Sequence, residues 1–223
     1  MERFERTKRL IGSDSLTKLK ESKVLIIGVG GVGSYAAEAI ARAGIGEITI
    51  MDGDNIALSN INRQLVALQE NIGEYKAEVM GKRIKSINPD AKVIVIKNYY
   101  NLEFDINLAD YDYVIDAIDS VKDKLDLIES CTVKGVKIIS SMGTAGKIYN
   151  DSFKISDISE TSVCPLAKKV RKELRNRGID HLKVVYSTEK AKVNEDGLGT
   201  MSYVPGVSGL MMAGEVIREL GGI

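Results

Sequence analysis

Histidine occurs once in this sequence, at His181, and cysteine only twice, at Cys131 and Cys164. Two cysteines make no disulfide framework, and without a C-x-x-C pair they hold no tetrahedral zinc. A Ser-His-Asp machine or a histidine-rich metal centre would have to be built on His181, which reads instead as a loop or surface side chain. Three prolines and the absence of any low-complexity run argue against disorder. No apolar stretch approaches the length a bilayer crossing needs. The start, Met1 to Arg6, is charged where a secretory signal would be apolar, so the expected location is the cytoplasm. Net charge is lacking too: 31 Lys and Arg balance 31 Asp and Glu, and any affinity for nucleic acid has to come from a local patch.

What the chain does have is core. At 223 residues and 44% hydrophobic composition it suits one α/β domain with appendages. The stretch from Lys23 to Gly44 reads as strand, glycine turn, helix. Val24 to Ile27 is a short apolar run suited to a central parallel strand, and the alanine-rich segment after Gly33 repeats with helical spacing. Between them Gly28, Gly30 and Gly33 match G-x-G-x-x-G, in which glycine permits a tight turn, close backbone approach to a phosphate and close packing of helix on strand. The helix that follows aims its unpaired N–H groups at a bound anion. A second apolar run, Glu47 to Met51, ends at Asp52, about twenty residues beyond the glycines and where a ribose hydroxyl acceptor belongs. Such a site serves a dinucleotide cofactor or ATP equally well.

Strand and helix patterns go on alternating. Tyr75 to Ile87 is amphipathic and stops at Asn88-Pro89, while Lys92 to Ile96, Tyr113 to Asp119 and Val136 to Ser140 read as strands. Ser120 caps a helix running to about Lys134. The expected fold is α/β, a Rossmann-like doubly wound sheet, parallel in the N-terminal part and mixed toward the C-terminus. The change comes after Gly143, where Lys147 to Ile155 shows two strand-like runs around Asn150-Asp151, a hairpin pattern. Beyond it, Leu166 to Arg177 is helical, with Lys168, Arg171, Lys172 and Arg175 on one face as a candidate patch for RNA phosphates. Glu189 to Thr200 is a polar loop, and Val207 to Leu220 a buried terminal helix in which Gly209 and Gly214 allow close approach. At the other end, Arg3 to Arg9 reads as a basic tail and Ser13 to Glu21 as a short helix capped by Asp14 or Ser15. The expectation is one domain over 1–223, with an ATP-binding part at 1–146 and a mixed-sheet and helix part at 147–223.

Asp52, Asn60, Arg63, Lys76 and Asp119 fall at or just after strand ends, or in the helices that follow them. Hydride transfer has no use for this set, whereas ATP chemistry needs cations to neutralise a triphosphate and a carboxylate to hold magnesium. Arg63 and Lys76 supply the charge and Asp119 the metal ligand, leaving Asp52 for the ribose. The motifs Gly28-Val-Gly-Gly-Val-Gly33, Asp52-Gly-Asp54, Ser59-Asn-Ile-Asn-Arg63, Gly73-Glu-Tyr-Lys76, Ile87-Asn-Pro89 and Asp116-Ala-Ile-Asp119 together resemble the ThiF, MoeB and HesA superfamily of adenylating enzymes, relatives of the ubiquitin activators. That resemblance implies that Gly31, beside Gly28, Gly30 and Gly33, contacts the nucleotide, and that Asp52 binds ribose. It further implies that Asn60, Arg63 and Lys76 bind phosphates and Asp119 magnesium, with Asp54, Ser59 and Ser120 completing the site. A homodimer is implied as well, in which Arg6 reaches the partner subunit's ATP.

Within the superfamily the chain is most similar to the branch that dehydrates threonylcarbamoyladenosine in tRNA, through Arg3 to Gly12, Val114 to Ser120, Pro165-Leu-Ala167 and Val185 to Glu189. This branch is also described as sulfur-acceptor-like, which adds a sulfur-relay protein to the partners to expect. The paired C-x-x-C zinc ligands of the sulfur-carrier activators are missing, and Cys164 stands where the branch commonly has an acid. The reaction implied is ATP-dependent: a side-chain carboxylate becomes an acyl adenylate and the carbamoyl group closes a ring, with no side-chain nucleophile required. One alternative is adenylation of the C-terminal glycine of a ubiquitin-like or sulfur-carrier protein, with Cys164 receiving the acyl group. Another is a nucleotide-binding scaffold that has lost turnover.

Overall fold

Strand periodicity decides the layers. The computed structural model describes residues 3–223. In β1 (Lys23–Ile27), Val24 and Ile26 join one apolar cluster while Leu25 and Ile27 join another, because successive side chains leave a strand on opposite faces. The strands β2 (Glu47–Met51), β3 (Lys92–Ile96), β4 (Tyr113–Asp116), β5 (Ile138–Ser141), β6 (Phe153–Asp157) and β7 (Lys183–Ser187) extend a single sheet in the order β3-β2-β1-β4-β5-β7-β6. Every pairing is parallel except β6 with β7. Helices α1 (Glu5–Glu21), α2 (Gly33–Ala43), α3 (Lys76–Ile87) and α6 (Val204–Gly221) contribute to the apolar cluster on one face. Helices α4 (Val121–Lys134) and α5 (Pro165–Asn176) contribute to the clusters on the other. Strand order reverses direction at β1 and β4, the crevice where such sheets bind ligands.

The mixed sheet is as expected, but its antiparallel pair is made differently. Residues Asn150–Ser152 form a short 3₁₀ turn rather than the tip of a hairpin. Phe153–Asp157 then pairs with Lys183–Ser187 across the whole of α5, in the register Phe153 to Ser187 and Asp157 to Lys183. The strand at Lys183–Ser187 was not expected as a strand at all. Two shorter corrections concern bounds: the fourth strand ends at Asp116 instead of Asp119, and the fifth starts at Ile138.

At the N-terminus the expected tail is helical. α1 begins at Glu5 and is kinked at Gly12, whose φ of +83° lies outside the helical region. A left-handed glycine here bends the helix where the sequence pattern suggested a fresh start, and neither Asp14 nor Ser15 caps it. Of the two glycines expected to bring the terminal helix close, only one does so. A Cβ on Gly209 would sit 2.2 Å from the Val32 carbonyl oxygen, so α6 lies directly on the start of α2, whereas at Gly214 nothing described comes within 4 Å. Among the described residues no helix is long and apolar enough to cross a membrane.

Candidate active site

A cavity opens at the carboxyl ends of β1, β2 and β4, lined by Gly28, Gly30, Gly31, Asp52, Asp54, Arg63, Lys76, Asp119 and Ser120 among others. Its floor is the glycine turn. Gly28 has φ +88°, and a Cβ on it would meet the Ala117 carbonyl oxygen at 2.6 Å, so the turn lies flat against the chain leaving β4. Gly33 faces away from the cavity; its own Cβ would strike the Gly28 oxygen at 1.8 Å, and its service is to let α2 pack on the turn. The Ser34 hydroxyl donates to the Gly30 carbonyl at 2.6 Å and accepts from the Leu65 amide at 3.2 Å, tying the glycine turn to the segment that carries Arg63.

Asp52 bridges two strands of this wall. One carboxylate oxygen accepts from the Val29 amide at 2.6 Å and the other from the Asp54 amide at 2.8 Å. Burial pushes its pKa up, against the pull of those two amides. Asp54 beside it is drawn the other way: burial would raise it, but hydrogen bonds from Lys76 at 2.6 Å and the Tyr99 hydroxyl at 2.5 Å hold its carboxyl below the ordinary range. The same bond to Asp54 pushes the Tyr99 phenol up to about 12. Lys76 is thus a nearly buried ammonium whose charge faces the cavity through one partly exposed carboxylate.

Asp119 is positioned from below by a sealed pair. Asp116, at the end of β4, accepts from the Lys124 ammonium at 2.7 Å and the Ser140 hydroxyl at 2.5 Å, all three side chains being inaccessible to solvent. Its second oxygen takes the Ile118 amide at 3.0 Å and fixes the turn that puts Asp119 and Ser120 on the rim. Ser120 then caps α4 by accepting from the Asp123 amide. Arg63 reaches the opposite rim with its guanidinium bonded to the Ser59 carbonyl and the Asn62 side chain, both at 2.8 Å.

Four expected site residues stand outside the lining: Gly33, described above, and Ser59, Asn60 and Arg6. Asn60 is buried, and its side-chain oxygen accepts from the Ala57 amide at 3.1 Å, closing the short turn that presents Arg63; Ser59 belongs to the same turn. Arg6 is exposed on α1 and does not line its own chain's cavity. The basic face of α5 is also incomplete: Arg171 folds back to donate to the Thr161 carbonyl at 2.8 Å and its hydroxyl at 2.6 Å, leaving Lys168, Lys172 and Arg175 exposed. Cys164 is 3% exposed within an apolar cluster, and His181 is an exposed neighbour of Asp157; neither lines the cavity.

Sequence reasoning missed Gln64, Asn98, Tyr99, Thr144 and Thr200. Tyr99 follows the end of β3, where the rule that chemistry gathers after strand ends would have flagged it. Gln64, adjacent to Arg63, is buried, and its side-chain oxygen has no hydrogen-bond partner among the described residues. No cluster of three or more acidic, histidine or cysteine side chains forms a metal cage among the described residues.

The ThiF family profile matches residues 4–223. The chain is 40% identical to the tRNA threonylcarbamoyladenosine dehydratase of Bacillus subtilis over 241 residues, covering 99% of this chain and 95% of the relative. It is 41% identical to the Escherichia coli protein of the same name over 180 residues, covering 78% of this chain and 66% of that one. Solved structures of E. coli tRNA N6-threonylcarbamoyladenosine dehydratase, TcdA, in complex with AMP and with ATP superpose with a TM-score of 0.91 at 35% identity, covering 99% of this chain and 94% of theirs.

Proposed function

The chain belongs to the ThiF family, and on that premise we propose that it is an ATP-dependent dehydratase acting on threonylcarbamoyladenosine in tRNA. The observation that carries this reading is the joint placement of Asp52, Arg63, Lys76 and Asp119 around one glycine turn, in a chain alike to such dehydratases over nearly its whole length. Asp52 takes a ribose hydroxyl, and Arg63 and Lys76 face the phosphates. Asn60 supports this indirectly, through the turn that carries Arg63. Asp119 would hold magnesium together with the phosphates; the ion, when bound, neutralises charge on the departing pyrophosphate.

The substrate carboxylate attacks the α-phosphorus, and pyrophosphate leaves. The carbamoyl group then attacks the acyl carbon and gives up a proton to solvent, a ring forms, and AMP departs with the carboxylate oxygen, so the net loss from the carboxylic acid form of the substrate is one water. This second step is intramolecular and gains its rate from orientation. Lys76 and Arg63 are aimed at charge that develops during the first step, the kind of preorganised electrostatics that dominates such transfers. No thiol takes part: Cys164 is sealed in apolar packing, which weighs against a thioester route to a ubiquitin-like protein. The functional unit is a homodimer in which Arg6 serves the partner subunit's site. Mixed dimers of Arg6→Ala and Asp119→Ala chains should regain activity that either variant lacks alone.

Mass spectrometry of nucleosides from threonylcarbamoyl-modified tRNA incubated with the protein, ATP and magnesium tests the proposal. A product lighter by one water, formed only with ATP, is expected. Unchanged nucleoside, with pyrophosphate exchange stimulated instead by a ubiquitin-like protein, would give the reaction to the other substrate.

A further inference from the structure

Two segments run outward from the cavity and meet on the surface beside it. One starts at Thr144 in the lining and reaches Tyr149; the other passes through Thr200 in the lining, reaches Tyr203 and returns to the lining at Pro205. Both tyrosines are open, Tyr149 at 57% and Tyr203 at 41% exposure. They are braced rather than loose. The Tyr203 hydroxyl donates to the Ile148 carbonyl at 2.8 Å, and the Glu189 carboxylate accepts from the amides of Ile148 and Tyr149 at 3.0 and 2.9 Å. The buried Lys147 ammonium donates in turn to the Glu189 carbonyl. The Gly146 amide donates to the Gly199 carbonyl and its carbonyl accepts from the Lys192 amide, both at 2.8 Å, which fastens the loop after Glu189 to this platform. Asn62, next to Arg63, donates to the Thr200 carbonyl at 3.1 Å and anchors the far end.

Above the platform lies a cation. The Lys192 ammonium sits 5.9 Å from the centre of the Tyr149 ring, within the range of a cation–π contact, and Lys190 is exposed two residues before it. Glu195 and Asp196 lie at the turn between Asn194 and Gly197, at the tip of the same loop. An exposed aromatic face with a cation over it suits an unpaired nucleobase and its phosphate. Bases splayed from a single-stranded loop stack on such rings, and lysines nearby take the backbone. Two exposed tyrosines on a hydrogen-bonded backbone also reduce the ordering cost that a loose surface would incur.

We propose that Tyr149, Tyr203 and Lys192 form the docking surface for unpaired RNA nucleotides flanking the modified adenosine, delivering its side chain to the adjoining cavity. This rests on the dehydration reading. It places the RNA next to the site and assigns the exposed lysines of α5 no base contact.

The test is fluorescence anisotropy with a labelled RNA stem-loop carrying threonylcarbamoyladenosine among its unpaired loop nucleotides, run without ATP so that binding is separate from turnover. Tyr149→Ala should raise the Kd about tenfold or more, since a base–aromatic stack of ordinary strength is lost. Tyr149→Phe, which keeps the ring, should bind like wild type, and Lys192→Ala should reduce the salt slope by about one. ATP affinity and melting temperature should stay unchanged in all three. As a measurement free of any folding defect, photocrosslinking of wild-type protein to the same RNA carrying 4-thiouridine should label residues within 144–149 or 198–203. Unaltered RNA affinity in folded Tyr149→Ala, or crosslinks confined to other segments, overturns the proposal while leaving dehydration intact. Weakened RNA binding in Tyr149→Ala beside a wild type that never forms cyclic product would uphold this surface and overturn the dehydratase reading. Failure of the wild type to bind RNA, with a ubiquitin-like protein bound through Tyr149, would give the surface to a protein partner.

Discussion

Two lysine–aspartate pairs of nearly equal length stand within one site. Lys76 and Asp54 are 2.6 Å apart at the cavity wall, with Asp54 47% exposed; Lys124 and Asp116 are 2.7 Å apart beneath it, with no exposure on either. The outer pair leaves its carboxylate in reach of water, so the lysine can exchange that partner at modest cost. The inner pair is closed by Ser140 and the Ile118 amide, and can exchange nothing. Its stabilising value is doubtful by the usual arithmetic of buried charge, but its removal is costly because the remaining partner is stranded. The same chemical pair is therefore open to exchange in one place and a backbone device in the other.

Breaking the inner pair should give the largest effect. Asp116→Ala leaves the Lys124 ammonium buried without a counter-charge, with only the Ser140 hydroxyl as partner, and should destabilise the fold by about 3–5 kcal/mol in urea titrations. The double change Asp116→Leu with Lys124→Met should recover much of that loss, as both charges then disappear together. Activity in the double variant should remain low, because the turn beneath Asp119 has lost the acceptor for the Ile118 amide.

Breaking the outer pair should divide the two properties in the opposite way. Lys76→Ala should lower ATP-dependent turnover by about 10²–10³-fold, the scale of losing one preorganised charge. Its urea midpoint should move little, since the Asp54 carboxylate left behind is hydrated. ATP with magnesium at about 100 times its Kd should stabilise wild type by about 2.7 kcal/mol in thermal melts, and the shift should vanish in Asp119→Ala or Lys76→Ala.

The smallest effect sharpens the comparison by pH. The Asp54 carboxyl is held below its ordinary 3.8, so its contribution is complete above 3.8 and is lost as pH falls through the folded value. Asp52 is held above 3.8 by burial; its contribution is complete below 3.8 and is lost as pH rises through the folded value. Relative to wild type, the stability deficit of Asp54→Asn should shrink on acidification, and that of Asp52→Asn should shrink as pH rises. Parallel pH dependences in the two variants would show that these carboxylates, two residues apart, share one environment.

The features readable in the sequence were those built from neighbours in the chain. The glycine turn, the strand before it, the helix after it and Asp52 lie within thirty residues and obey local rules. The pairing of β6 with β7 escaped because its partner strand lies beyond α5, while Asn150-Asp151 carried a hairpin signal that the chain uses for a 3₁₀ turn. Tyr99 escaped for a similar reason: its place after a strand end marks only a neighbourhood, and the Asp54 that gives it meaning is 45 residues away. Arg171 looked like one of four equivalent cations by helical spacing, yet three-dimensional proximity to Thr161 makes it a clamp on a turn. Periodicity places a residue on a face; only tertiary neighbours decide whether that face is free.

The contact of Gly209 with Val32 also has a kinetic side. The glycine turn is local, but the surface that holds it, through Gly209 on Val32 and Pro205 against Gly31, comes from a helix far along the chain. Closing so long a loop is slow compared with forming a turn or a helix. During refolding, the strand–turn–helix unit should acquire amide protection first, and nucleotide affinity should arrive only with the docking of α6. A bulky side chain at Gly209 would then slow the gain of ligand affinity without slowing the early collapse, separating in time two events that the finished molecule presents as one.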